Sequence, residues 1–322
     1  MMLPDAAASA AGRLHGIHAA TVCPLRPDLT IDETALATHV ERVARTPGIE
    51  GLLINGHAGE NFLLSREEKR RVVAVVREAV GAGTFLTSGI NAEASLEAAQ
   101  HARDAQDAGA DAILLFPPNS WALGLEAATV IAHHRHVLDA CGLPLLLYQA
   151  PVGAGAMAYP ARLLEQLVPL PRVIGIKEGS WEVAAYEENR RAVRALRPDI
   201  AVLSSGDEHL LTCYLVGSEG SQVSLAAVVP EAIASLWRAA SRGDWVGARQ
   251  WHDLIYPLAV GFYREPPTSH ATARLKACLH IMGLIPNAFM RPPAQAAGVE
   301  EYRMLERVIA RLALSAGGQG GD

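Results

Sequence analysis

Two kinds of segment alternate along most of the chain: short runs that are almost wholly apolar, and longer stretches in which apolar residues recur every three or four positions. The short runs predict strands buried on both faces, and the longer stretches predict amphipathic helices. We expect eight strands, each followed by a helix. Their predicted bounds are 15–24, 51–54, 84–89, 112–116, 145–149, 173–177, 201–205 and 221–225.

Residues at the predicted helix ends support this division. Asp32 suits an N-cap, Ser65 to Glu68 has the sequence of a capping box, and Gly109 directly follows a helix as a C-terminal cap. Eight strand–helix units in roughly 230 residues predict an α/β fold, a (β/α)8 TIM barrel over residues 13–243. A doubly wound open sheet is the alternative.

The two ends of the chain differ from this pattern. After residue 243 it becomes purely helical and predicts a C-terminal three-helix appendage over residues 244–316, with helices near 245–262, 269–282 and 299–314. Residues 1–12 are expected to be a disordered arm, and the glycine-rich residues 317–322 a disordered tail.

Composition and charge exclude several classes of partner. The net charge of the 322 residues is −6, and no basic block is present to neutralise nucleic-acid phosphates. No apolar run reaches the ~18–20 residues that a membrane span needs, and the alanine-rich start lacks the basic residues of a signal peptide. The four cysteines lie far apart, which fits a cytoplasmic protein without structural zinc.

Lys177 stands out because it ends the apolar run Val173–Ile176. Of 28 basic residues only three are lysines, and Lys69 lies in a polar run, as expected for a solvated side chain. Desolvation lowers the pKa of a lysine, and a neutral amine can add to a carbonyl to form a Schiff base. The alternative is a strand-end lysine whose stem packs while its ammonium reaches water.

Two further features fall at the same end of the predicted barrel, where active sites of this fold lie. Tyr148 ends strand five, and the glycine-rich loop from Gly56 to Glu60 follows strand two. A phenol beside a Schiff-base lysine can shuttle protons, and backbone N–H groups in such a loop can hold a carboxylate. Taken singly, each has an ordinary alternative, a strand aromatic and a tight turn.

Two other motifs carry less weight. Residues 153–158 match the dinucleotide fingerprint G-x-G-x-x-A, but mid-chain and without a helix directly after it. Three histidines, His133, His134 and His136, share one predicted helix. Because no carboxylate accompanies them at ligand spacing, we expect a solvated helix face rather than a metal site.

The segments 56–60 (Gly-His-Ala-Gly-Glu), Tyr148, 175–178 (Gly-Ile-Lys-Glu) and 206–208 (Gly-Asp-Glu), in this order, resemble the dihydrodipicolinate synthase / N-acetylneuraminate lyase family of class I aldolases. The resemblance covers roughly residues 14–314 and includes 275–277 and 283–286 near the end. The combined pattern is specific for the superfamily and less so for a member.

The resemblance implies a role for each matching residue. Lys177 would form a Schiff base with pyruvate or a related 2-oxo acid, and Tyr148 would relay protons. The backbone of the loop residues Gly56, His57 and Ala58 would hold the substrate carboxylate. Gly206, Asp207, Glu208 and Ser224 match positions that contact the second part of the substrate. The resemblance also implies no metal or organic cofactor, and a homo-oligomer, either tetramer or dimer.

Three segments depart from the synthase branch. His57 and Ala58 replace two threonines, so the hydroxyl that passes a proton to the tyrosine is missing. Gly153 replaces an arginine that grips a second carboxylate, and the segment 116–121 lacks a tyrosine. The loss of a bidentate clamp costs on the order of 2–5 kcal/mol of recognition. Instead, Phe116 and Trp121 suggest an apolar or mixed aldehyde pocket.

The sequence therefore predicts a Schiff-base-forming lyase, an aldolase or dehydratase, that acts on a 2-oxo acid and an aldehyde. One alternative is the synthase proper, which condenses pyruvate with aspartate semialdehyde. A second is a non-catalytic protein that binds a 2-oxo acid. A third, suggested only by the glycine motif at 153–158, is a nicotinamide-dependent oxidoreductase.

Overall fold

The computed structural model describes residues 5–317 and contains a closed barrel of eight parallel strands in the order β1 to β8. The closed ring excludes the doubly wound alternative. The strands are β1 (Gly16–Ala20), β2 (Ile49–Ile54), β3 (Phe85–Ile90), β4 (Ala112–Leu115), β5 (Leu145–Gln149), β6 (Val173–Glu178), β7 (Ala201–Ser204) and β8 (Gly220–Val223).

Helices cover the outside of this ring. They are α1 (Asp5–Gly12), α2 (Glu33–Ala44), α3 (Arg66–Val80), α4 (Ser95–Asp107), α5 (Ala127–Ala140), α6 (Ala161–Leu167), α7 (Val183–Leu196), α8 (Leu210–Val216), α9 (Leu225–Val228), α10 (Pro230–Ser241), α11 (Trp245–Tyr263), α12 (Ala271–Ile281) and α13 (Val299–Gly317). The predicted capping box is present, because the Ser65 hydroxyl accepts from the Glu68 amide while the Glu68 carboxylate accepts from the Ser65 amide. We call α11–α13 the C-terminal helices.

The ring closes where β8 pairs with β1, and glycine makes this possible. Gly16 and Gly220 are opposite each other in the register, and Gly220 has a φ of +152°. A Cβ atom on Gly220 would lie 1.9 Å from the Gly16 carbonyl oxygen. Only a residue without a side chain therefore allows the last strand to meet the first.

Two apolar layers hold the fold together. The inner one fills the barrel and includes Leu53, Phe85 and Leu146, with Tyr148 at its upper end. The outer one lies between strands and helices and extends without a break to Leu305 in α13. Because the C-terminal helices share this core, they are packed as part of the molecule.

The N-terminal arm was wrongly predicted for the residues that the structure describes. Residues 5–12 form helix α1, which packs against β6. Ala7 and Ala11 are buried in the inner layer, beside Leu14. The alanine-rich sequence suits this role, because small side chains allow a helix to approach the barrel floor closely. Residues 1–4 and 318–322, the rest of the predicted arm and tail, lie outside the described residues.

Two predictions about polar side chains were also wrong. His133 and His134 are buried, and only His136 lies on the exposed face of α5. The His133 ring accepts or donates a hydrogen bond with Ser95, 2.9 Å away, so tertiary contacts replace the expected solvation. Lys69 is half-buried, and its ammonium donates to the Asn91 carbonyl oxygen at 3.2 Å.

Candidate active site

Lys177 and Tyr148 are neighbours at the carboxyl ends of two adjacent strands. Their Cα atoms are register partners between β5 and β6. The Lys177 Nζ atom lies 6.0 Å from the centroid of the Tyr148 ring. Both side chains are buried, and Lys177 is only 9% exposed. The structure therefore places the amine and the phenol beside each other, as the sequence predicted.

The surroundings of Lys177 favour its neutral form. Desolvation by burial lowers the pKa of the ammonium to about 8, and the negative charge of Asp207 limits the shift. Roughly a tenth of Lys177 is therefore an unprotonated amine at pH 7, far more than for an ordinary lysine. Such an amine can act as a nucleophile toward a carbonyl carbon.

Asp207 lies in the turn that follows β7 and is buried. Its Oδ1 accepts a hydrogen bond from the Leu225 amide at 2.7 Å. Burial raises the pKa of this carboxyl to about 7, while the Leu225 amide and Lys177 act in the opposite direction. The Tyr263 hydroxyl interacts with Asp207 and with Ser224, which directly follows β8. Asp207 and Ser224, which follow different strands, thus come together at Tyr263, and Asp207 is also close enough to Lys177 to affect its charge.

Tyr148 is packed among aromatic rings. The ring of Phe116 lies 4.7 Å from it and that of His57 5.5 Å, between centroids. Burial raises the pKa of the Tyr148 hydroxyl above its usual value, so the group is protonated at neutral pH. No hydrogen bond among the described residues occupies this hydroxyl. It is therefore available to a substrate bound at Lys177.

The loop after β2 forms one turn of 3-10 helix at His57–Gly59, preceded by Gly56. The Gly59 and Asn61 amides donate to the Gly56 carbonyl oxygen, and the Glu60 amide donates to that of His57. Within the described residues, no hydrogen bond uses the amides of His57 or Ala58. Two free N–H groups at the start of a helical turn can bind a carboxylate.

His57 itself lies across the mouth of the barrel. Its ring stacks on Phe116 with centroids 4.3 Å apart and contacts Phe62 on the other side. Crowding by these rings, together with the Lys177 ammonium, holds the pKa of the His57 imidazole below its usual range, although part of the side chain reaches solvent. A neutral imidazole can exchange a proton with a nearby hydroxyl.

Glu208 makes an ion pair rather than facing a free site. The Arg264 Nε atom lies 2.8 Å from both of its carboxylate oxygens, and Nη2 also contacts Oε1. Arg264 lowers the pKa of the Glu208 carboxyl, partly offset by burial. Glu208 therefore fixes the guanidinium of Arg264, which directly follows α11. Its sequence-predicted contact with a substrate stays a prediction.

A cleft of about 480 Å3 opens beside these residues. Gly153 lies on one wall, and Trp181, Tyr263 and Arg264 lie on the others. The rings of Trp181 and Tyr263 meet edge to face at 4.8 Å. These aromatic residues escaped the sequence analysis, because Tyr263 lies in a segment assigned only to the appendage. The unusual backbone of Trp181, with a φ of +62°, leaves no mark in the sequence.

The aromatic residues named from the sequence do not line this cleft. Phe116 lies beneath His57, and Trp121 packs edge to face on His133 with ring centroids 5.2 Å apart. Both are buried, and a substrate pocket around them stays a prediction. Neighbouring side chains cover the rings of Phe116 and Trp121. The aromatic wall of the cleft is formed instead by the loop after β6 and the end of α11.

The remaining motifs find no support as binding sites. Residues 153–158 fall within the 3-10 segment Val152–Met157 and its C-cap, which has a non-helical kink at Gly155. This geometry lacks the helix N-terminus that holds a pyrophosphate in dinucleotide folds. Among residues 5–317, no group of three or more metal-ligating side chains could hold a metal ion. In the same range, no helix is long and apolar enough to cross a membrane.

Two similar proteins align with most of the length of this chain. A protein of Phenylobacterium zucineum described as 4-hydroxy-tetrahydrodipicolinate synthase is 31% identical over 267 residues, 82% of this chain and 88% of its own. An uncharacterized DapA-like lyase of Thermofilum pendens is 29% identical over 95% of this chain and 98% of its own.

Solved structures give the same result for the fold. The crystal structure of dihydrodipicolinate synthase from Agrobacterium tumefaciens matches 94% of this chain and 99% of its own with a TM-score of 0.82 at 26% identity. The enzyme from Oceanobacillus iheyensis reaches a TM-score of 0.86 at 21% identity, with 96% and 99% covered.

A family-wide comparison covers almost the whole barrel and the C-terminal helices. The model of the dihydrodipicolinate synthetase family matches residues 13–312, a range that includes Lys177, Tyr148 and the loop after β2. The chain therefore belongs to the dihydrodipicolinate synthetase family and is a lyase of the class I aldolase type.

Proposed function

We propose that the protein is a Schiff-base lyase, an aldolase or a dehydratase, that acts on pyruvate or a related 2-oxo acid. The observation that carries this proposal is the buried Lys177 amine at the end of β6, beside the Tyr148 phenol. Family membership supplies the general reaction class. The geometry supports Lys177 and Tyr148 as the residues that carry it.

The reaction begins with addition of the neutral Lys177 amine to the keto carbon, followed by loss of water. The resulting protonated imine withdraws electrons from the neighbouring carbon, so a C–C bond can form or break there without a metal or an organic cofactor. Tyr148, with its hydroxyl free, donates and accepts the protons of these steps. The free amides of His57 and Ala58 hold the carboxylate of the 2-oxo acid.

We place the second substrate, an aldehyde, between the imine and the 480 Å3 cleft. Asp207 and Ser224 face it from one side, with Gly206 at the start of the same turn as Asp207. The aromatic pair of Trp181 and Tyr263 supports an aldehyde with an apolar or mixed substituent.

Accordingly, Trp181→Ala should raise the KM for the aldehyde at least several-fold, while adduct formation with the 2-oxo acid alone stays unchanged. An unchanged aldehyde KM would remove the cleft from the reaction.

The synthase reaction is the second candidate, and the names of several relatives favour it. Gly153 argues against it, because the arginine of the synthase branch is missing at that position, although the Arg264 guanidinium lies on another wall of the same cleft. A direct assay with pyruvate and aspartate semialdehyde distinguishes the two. A third possibility, binding of a 2-oxo acid without turnover, would show as an adduct that reacts with no aldehyde.

Borohydride reduction tests the proposal at its centre. In the presence of pyruvate, reduction should attach a three-carbon adduct at Lys177, which peptide mass spectrometry can locate. Lys177→Ala should lose both the adduct and turnover while its circular dichroism spectrum stays unchanged. A label on another residue, or turnover near the wild-type rate in the variant, would refute the assignment. Sedimentation analysis would test the accompanying proposal of a homo-oligomer, either dimer or tetramer.

A further inference from the structure

A buried ion pair joins the carboxylate-binding turn to the C-terminal helices. Glu60 ends the turn after β2, and Lys276 lies in the middle of α12, 216 positions later in the chain. The Lys276 ammonium donates to the Glu60 carboxylate, and their side chains are 0% and 4% exposed. The lysine also donates to the Phe289 carbonyl oxygen at 2.9 Å.

The contact bears directly on the shape of the turn. Glu60 has a left-handed backbone, with a φ of +58° and a ψ of +35°, which is unfavourable for a residue with a side chain. Its amide closes the turn by donating to the His57 carbonyl oxygen. On the other side of the turn, the Thr272 hydroxyl of α12 donates to that same oxygen at 3.4 Å. Helix α12 thus contacts the turn at two points.

A second contact holds the Glu60 carboxylate from the segment after α12. The Arg291 amide donates to its Oε1 atom at 3.3 Å. The Arg291 side chain in turn binds Glu68 in the first turn of α3 with two 2.8 Å bonds. Both oxygens of Glu60 are therefore held by groups that follow the barrel in the sequence.

From these contacts we propose that Lys276 is a positioning residue: through Glu60 it fixes the turn so that the His57 and Ala58 amides point at the carboxylate of the 2-oxo acid. The C-terminal helices would then set the affinity for this substrate without touching it. This inference rests on the proposed function for the identity of the ligand. An effect of Lys276 on substrate affinity could also have a purely electrostatic cause. Lys276 cancels the negative charge of Glu60, which would otherwise repel an anionic ligand.

Three variants separate the two explanations, with pyruvate as the probe. Lys276→Met breaks the pair, and the double variant Glu60→Gln with Lys276→Met removes the tether while keeping the local charge neutral. The third, Arg274→Met, is the matched control. Arg274 is a buried cation of the same helix that pairs with Glu301 and donates to three carbonyl oxygens of residues 262–267, none of them in the turn. Two readouts are recorded for each variant: the pyruvate concentration for half-maximal trapping at Lys177, and the rise in Tm caused by pyruvate.

If Lys276 positions the turn, the half-saturating concentration should rise about tenfold or more in Lys276→Met and in the double variant, with the trapping rate at saturation little changed. Arg274→Met should stay close to wild type. A double variant that binds pyruvate like wild type, or a control that weakens binding equally, would overturn the inference. If Lys276→Met fails to fold, the double variant decides, because it buries no unpaired charge.

The two readouts also separate this inference from the proposed function. Absence of a Lys177 adduct in the wild type would contradict the Schiff base, whereas pyruvate would still raise the Tm through the turn. Comparing the pyruvate-induced rise in Tm among the variants then tests only whether the Lys276–Glu60 pair positions the turn. A Tm response that is equal in wild type and double variant would overturn the tether whatever happens at Lys177.

Discussion

At the scale of single residues, the charge state of Lys177 controls the first step of the proposed reaction. The pKa of its ammonium lies at about 8, so the fraction of neutral amine increases as the pH rises through this value. We expect the rate of imine formation with pyruvate to rise between about pH 6 and pH 9 and then to level off. Stopped-flow measurements across this range would show it.

Asp207 provides a check on that profile. Its negative charge stabilises the ammonium, so Asp207→Asn should lower the pKa of Lys177 and move the rising part of the profile toward lower pH. Glu182→Gln, which removes a carboxylate from the wall of the cleft, should leave the midpoint in place. The same midpoint in all three proteins would mean that Lys177 is not the titrating group.

For Tyr148 we expect a large effect on rate and a small one on structure. Tyr148→Phe keeps the ring against Phe116 and removes only the hydroxyl. Since general acid–base groups contribute about 10²- to 10⁴-fold, turnover should fall by that factor. The rise in Tm caused by pyruvate serves as the control for an intact binding site, because it does not require proton transfer. Turnover close to the wild-type rate would assign the proton transfer to another group, with His57 the nearest candidate.

A site residue could be predicted from the sequence only where its own segment has an unusual pattern. Lys177 was found because a lysine in an apolar strand is unusual by itself, and Tyr148 because the barrel placed it at the same rim. By contrast, Tyr263 and Arg264 reach the site only through the packing of α11 against the turn after β7. The local sequence pattern does not indicate such a contact. Nor does it indicate the ion pair between Glu60 and Lys276.

At the scale of elements, the approach of β3 to the loop after β2 limits what Gly89 can be. A Cβ atom on this residue would lie 2.1 Å from the Asn55 carbonyl oxygen and 2.9 Å from the Phe116 ring. Gly89→Ala should therefore lower the free energy of unfolding by about 1–3 kcal/mol or more. Because Asn55 directly precedes the turn that we propose to hold the substrate carboxylate, binding of pyruvate should weaken as well.

Urea unfolding and pyruvate-induced Tm shifts would measure both effects. Gly83→Ala is the matched control, since a Cβ atom there meets no other atom within 4 Å. Equal stability of the two variants would show that the loop moves aside at little cost.

Strands and helices were predictable where the sequence carries periodicity and end signals. Strand β5 has the predicted bounds, and α3 begins at its predicted capping box. The prediction was wrong for α1, because alanine and serine alone do not distinguish a packed helix from a loose arm. It also missed α9, whose four residues are too few to show a helical period.

At the scale of the whole molecule, the barrel and the C-terminal helices should unfold together. They share the outer apolar layer, and the buried pair of Lys276 and Glu60 connects them. Urea transitions followed by tryptophan fluorescence and by far-ultraviolet circular dichroism should therefore coincide. Tryptophans occur in both parts, among them Trp181 in the barrel and Trp251 in α11, so separate melting of either part would appear as a second transition.

The closed barrel could be predicted from the count and spacing of strand–helix units, because eight such units leave few other arrangements. How the last helices return to the rim could not. Their amphipathic pattern shows that they bury one face, but which loops they contact depends on partners more than 200 positions away, as for Lys276 and Glu60.

The scarcity of lysine has a practical consequence for chemical labelling. Of the three lysines, Lys276 is buried in an ion pair and Lys69 is half-buried with its ammonium bonded to the Asn91 carbonyl oxygen. Dyes or activated resins that couple to side-chain amines would thus find few reactive partners on the surface. Reductive tagging through a bound keto acid should instead mark Lys177 alone. The extent of tagging would then report directly what fraction of the molecules in a preparation can form the imine.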